Sequence, residues 1–74
     1  MTRASDVLLP ITNARAASKR LGLTSMIVMQ ELPDGRWGFT SYGKDKKHCD
    51  RARRIADELM SAVIYAVAVE DGEI

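Results

Sequence analysis

The chain has one cysteine (Cys49) and one histidine (His48) in 74 residues. Neither a disulfide framework nor a closed zinc site can be built from them. A lone unpaired cysteine suits a reducing compartment. Long apolar runs are also missing. The first stretch, Val7-Leu8-Leu9-Pro10-Ile11, falls short of a signal-peptide core and far short of the roughly 20 residues of a spanning helix. These features point to a soluble, cytoplasmic protein. Excess charge is lacking too: 11 Lys and Arg against 10 Asp and Glu leave a formal +1, so no global field draws the chain onto nucleic acid or an anionic membrane. No repeat, low-complexity run or linker interrupts it, and no glycine-rich phosphate loop is present.

What is there is ordinary globular composition, 46% hydrophobic and 28% charged, enough for one domain over residues 1–74. Residues 12–22 combine good helix formers with Thr12 or Asn13 as an N-cap, Lys19 and Arg20 in the last turn, and Gly22 as the C′ residue. Residues 24–32 and 36–42 are two strands joined through Pro33, Asp34 and Gly35. If Leu32 faces Arg36, Met29 faces Phe39 and Met26 faces Tyr42. A helix over residues 45–60 places Cys49, Ala52, Ile55, Ala56, Leu59 and Val63 on one stripe. Asp45 is its N-cap, Asp50 stands four before Arg54, and Asp57 and Glu58 are placed to pair with Arg53 and Arg54. Residues 63–69 are β-branched and aromatic and read as a strand. Residues 70–74 read as a frayed acidic tail. Residues 6–11 offer a further strand that Pro10 confines to an edge or an end.

The expected fold is therefore α+β, a small two-layer sandwich of order β-α-β-β-α-β, the ferredoxin-like or split βαβ arrangement. Without the first strand it becomes α-β-β-α-β. Both faces of the hairpin are apolar, and two helices on one side would leave the other bare. Such surplus surface marks an interface, most simply a homodimer through the sheet.

Residues 44–54 carry six basic side chains against Asp45 and Asp50. Lys46, Lys47 and His48 stand in a first helical turn, where the dipole disfavours cations. With Lys44 they form a candidate anion or phosphate site. His48 and Cys49 are adjacent, so on a helix they do not face each other as a nucleophilic pair. No catalytic residue, metal ligand or cofactor is expected.

The second hairpin strand, Gly35-Arg36-Trp37-Gly38-Phe39-Thr40-Ser41-Tyr42, resembles the ribonucleoprotein-1 string of RNA-recognition motifs, K/R-G-F/Y-G/A-F-V-x-F/Y. Arg36 and Gly35 stand in inverted order, and Thr40 replaces Val. The resemblance implies a third strand of a β-α-β-β-α-β fold, with Trp37 and Phe39 stacking bases of single-stranded RNA or DNA.

Two functions follow as expectations. One is a non-enzymatic protein-interaction module (a regulator, adaptor or inhibitor of the kind phages and mobile elements encode) that uses Trp37, Phe39, Arg36, Arg51 and Arg54 as anchors. The other is a single-stranded nucleic-acid binder.

Overall fold

The computed structural model describes residues 8–73. Their order is α1 (Ile11–Leu21), β1 (Ser25–Glu31), β2 (Trp37–Gly43) and α2 (Lys46–Glu70). The class is α+β, with one two-stranded antiparallel sheet.

The hairpin has the expected register: Met29 pairs with Phe39 and Met26 with Tyr42. Local chemistry closes it. The Leu32 N–H donates to the Arg36 carbonyl at 2.7 Å and the Gly35 N–H to the Leu32 carbonyl at 2.9 Å. Asp34 accepts from the Arg36 N–H at 3.0 Å and from its Nε at 2.6 Å.

The N-cap of helix α1 falls two or three residues earlier than expected. Pro10 is its N-cap, and no side chain caps it, so Thr12 and Asn13 lie inside the helix. Proline at this boundary gives up no helical hydrogen bond and presets φ. The C-terminal end matches the sequence: Gly22 is left-handed, and the Leu23 N–H donates to the Ser18 carbonyl at 2.9 Å.

The largest correction concerns residues 63–69. They are not a strand. Helix α2 runs unbroken for 25 residues through them to Glu70. β-Branched residues cost a helix only a few tenths of a kcal/mol each, less than nucleating a separate element costs. Ala62, Ala66 and Ala68 favour the helix. Gly72 then supplies the stop. At φ +80° it sits where a side chain would be strained. Its N–H donates to the Val69 carbonyl at 3.1 Å and that of Glu73 to the Ala68 carbonyl at 2.9 Å, the Schellman closure. Both expected orders end on this strand, so neither the ferredoxin-like arrangement nor α-β-β-α-β is the observed one. Residues 8–11 form no strand either; Asp6 and Val7, the start of that candidate, lie outside the described residues.

The layering differs as well. Side chains alternate between the faces of a strand. On one face, a Cβ at Gly38 would meet the Leu8 side chain at 2.9 Å. On the same face Thr40 and Gln30 hold the backbone of Leu9: Thr40 Oγ1 donates to its carbonyl at 2.7 Å, and its N–H donates to Gln30 Oε1 at 2.7 Å. Gln30 Nε2 closes the ring by donating to Thr40 Oγ1 at 2.9 Å. Residues 8–9 and α1 thus cover this face. On the other face, a Cβ at Gly43 would fall inside the backbone of His48 and Cys49, and Phe39 and Ser41 share a hollow with Arg53. Helix α2 covers that face. The hairpin lies between the two helices, and among the described residues neither sheet face is bare.

The buried core is small: Ala14, Ala52, Ala56 and Leu32, with Ser18 and Thr40. Small residues sit at the helix–sheet contacts because they allow close approach.

Candidate interaction surfaces

The fold separates the sequence-derived site residues into four places. Arg36 is at the hairpin turn, in an exposed ion pair with Asp34. Asp34 is held below the usual carboxylate range, first by the Arg36 backbone N–H and then by its side chain. Trp37 and Phe39 lie on the face that α2 covers. Both are half-buried, and the Trp37 indole nitrogen is buried without a hydrogen-bond partner. Lys44, Lys46, Lys47 and His48 are at the opposite end of the hairpin from Arg36. Arg51 and Arg54 are exposed one turn further along α2, around a hollow shared with Ile55, Asp57 and Glu58.

At the start of α2, Asp45 is the N-cap. Its Oδ1 accepts from the His48 N–H at 2.9 Å and lies 2.7 Å from His48 Nδ1. The backbone N–H contributes most to holding the Asp45 carboxyl below its ordinary value, followed by the imidazole. The carboxylate offsets part of the unfavourable placement of Lys46 and Lys47 in this turn. His48 Nδ1 thus engages Asp45, and its neighbour Cys49 lines a different hollow. Among the described residues, no group of three or more His, Cys, Asp or Glu side chains could hold a metal ion.

The expected helix pairs are not made. Among the described residues the only Lys or Arg in an ion pair is Arg36, with Asp34, and the only other contact of this kind is the His48–Asp45 hydrogen bond. Arg53 and Arg54 pair with neither Asp57 nor Glu58, and Asp50 does not pair with Arg54. Long exposed side chains gain too little from such contacts to be held in one geometry.

Sequence reasoning missed two residues that the fold adds to the basic segment. Arg15 and Lys19 of α1 line one cleft with Lys44, Tyr42, Gly43 and Cys49. Their spacing of four, which puts both on one side of a helix, was the available signal. One further backbone bond ties the α1–β1 loop to the β2–α2 loop at this end: the Lys44 N–H donates to the Thr24 carbonyl at 3.0 Å. Charge is segregated as a result. Residues 12–24 and 44–54 hold nine cations and two carboxylates, a formal +7, whereas residues 25–43 and 55–73 hold one cation and seven carboxylates, a formal −6. The near-neutral total conceals two poles.

The apolar stripe of α2 is also split. Ala52 and Ala56 are buried and Met60, Val63 and Val67 half-buried, but Ile55 and Leu59 are each 43% exposed. No helix among the described residues is long and apolar enough to cross a membrane. Compared with known protein families, curated proteins and solved structures, the chain matches none.

Proposed function

We propose that the chain is a small non-enzymatic protein-interaction module, a regulator, adaptor or inhibitor, that docks its basic pole on an acidic protein surface. The observation that carries this reading is the cleft where Arg15, Lys19 and Lys44 converge from α1 and from the β2–α2 junction with no carboxylate paired to them among the described residues. Complementary charge of this kind accelerates encounter and excludes wrong partners. A phosphate backbone carries the same sign. Base stacking, however, needs aromatic rings on an open face, and Trp37 and Phe39 are half-buried on the face that α2 covers, outside the cleft of Arg15, Lys19 and Lys44.

The test is an affinity pull-down of the tagged chain from its native lysate, with and without nuclease, beside a variant carrying Arg15→Glu, Lys19→Glu and Lys44→Glu. The expected result is a discrete protein that survives nuclease, weakens with salt and is lost with the charge-reversed variant. Material that disappears with nuclease moves the function to nucleic-acid binding. A protein retained equally by the variant removes the basic cleft from the interface.

A further inference from the structure

Helix α2 is longer than the sheet it covers. At 1.5 Å per residue it extends about 37 Å, against about 23 Å for a seven-residue strand; the molecule's longest dimension is 40 Å. The last turns, from about residue 62, therefore overhang the hairpin. Residues 62–69 (Ala-Val-Ile-Tyr-Ala-Val-Ala-Val) carry no charge on any side, and Ile64 and Tyr65 are each 60% exposed. A helix apolar all round belongs in an interior.

One line along α2 is exposed throughout. Ile55, Leu59, Ala62, Ala66 and Val69 are all exposed and follow one another at spacings of four, three, four and three, the seam spacing of a coiled coil. We propose that this seam joins two copies of the chain as an antiparallel helix pair. Size complementarity selects a second copy. Setting Leu59 opposite Ala62 of the second copy also sets Ile55 opposite its Ala66, so every large residue meets a small one, as interdigitating layers require. Charge complementarity selects the antiparallel direction. The same register brings Glu70 level with Arg51 of the second copy and Glu73 level with its His48, so each acidic end runs beside a basic one. A parallel pair would set Arg51 beside Arg51 and Glu70 beside Glu70. Beside α2, at the level where Val69 of the second copy arrives, a hollow lies between Thr24, Ser25, His48 and Ile55. This contact stands on observations separate from those behind the basic cleft.

Sedimentation analysis from about 1 µM to about 200 µM is the test. The expected result is a dimer whose dissociation constant rises about tenfold or more with Leu59→Glu and with Ala62→Glu, each checked for helix content. Ala62 is exposed, so its variant retains the fold if Leu59→Glu does not. Ile64→Lys, on the opposite side of the helix, leaves the dimer intact. In a Cys49→Ser background, Ile55→Cys mixed with Ala66→Cys forms a disulfide between copies, whereas neither alone does. A chain that stays monomeric over this range overturns the proposal, as does a dimer indifferent to both glutamates. Disulfides formed by Ile55→Cys alone would overturn the antiparallel arrangement.

Discussion

The two halves of α2 differ in burial: only the first holds fully buried residues. In the first half, the residues with almost no exposure are Ala52 and Ala56. In the second, larger and more apolar side chains, Ile64, Tyr65 and Val69, face outward. Apolar content therefore does not locate the core here; distance to the sheet does. Where α2 lies against β2, only small groups fit between the backbones. Beyond the hairpin Met60, Val63 and Val67 are only half-buried, and the larger Ile64 and Tyr65 remain exposed.

The sharpest way to break this contrast is Gly43→Ala. The added Cβ would collide with the backbone at the start of α2, which cannot rotate away as a side chain would. The expected loss is about 3 kcal/mol, the upper end for overpacking, read by urea unfolding. Next is Thr40→Val, on the other face of the hairpin. It keeps the shape and removes the hydroxyl that joins Leu9 to Gln30, leaving buried polar groups unpaired at a cost of about 2 kcal/mol. Asp45→Ala should cost less, since the cap is exposed, and Asp45→Asn should retain most of it. Because the folded Asp45 pKa is lowered from 3.8, its contribution is present above that value and is lost as pH falls through the lowered one. Acid unfolding of the wild type should therefore show a proton uptake below pH 3.8 that Asp45→Asn lacks. The smallest effect belongs to the overhang: Ile64→Lys should change stability by no more than about 0.5 kcal/mol. A large loss there would mean that the distal half is covered within the single chain.

Local chemistry was legible and nonlocal choice was not. The hairpin register, the Gly22 closure of α1 and the Asp45 cap each depend on residues within a few positions of one another. Residues 63–69 are misleading in sequence because β propensity leaves out the cost of ending a helix already formed, and because Gly72 is equally compatible with an acidic tail and with a C′ glycine. Spacing shows the apolar stripe of α2 but not its division into buried Ala52 and Ala56 and exposed Ile55 and Leu59, because the sheet decides which side of the helix it meets. Gln30 and Thr40 are the polar members of an otherwise apolar hairpin face. Their partner is a backbone segment about 20 to 30 residues away in sequence, and no periodicity reports it.

The sequence by itself determined two helices, one hairpin and the pairing within it, since turn residues, caps and short-range spacing act over a few residues. Tertiary structure alone decided that the helices take opposite faces of the hairpin, that Arg15, Lys19 and Lys44 share a cleft, and that Ile64, Tyr65 and Val69 at the end of α2 stay exposed. Those outcomes depend on how far elements extend and what they meet, quantities set by packing between distant segments.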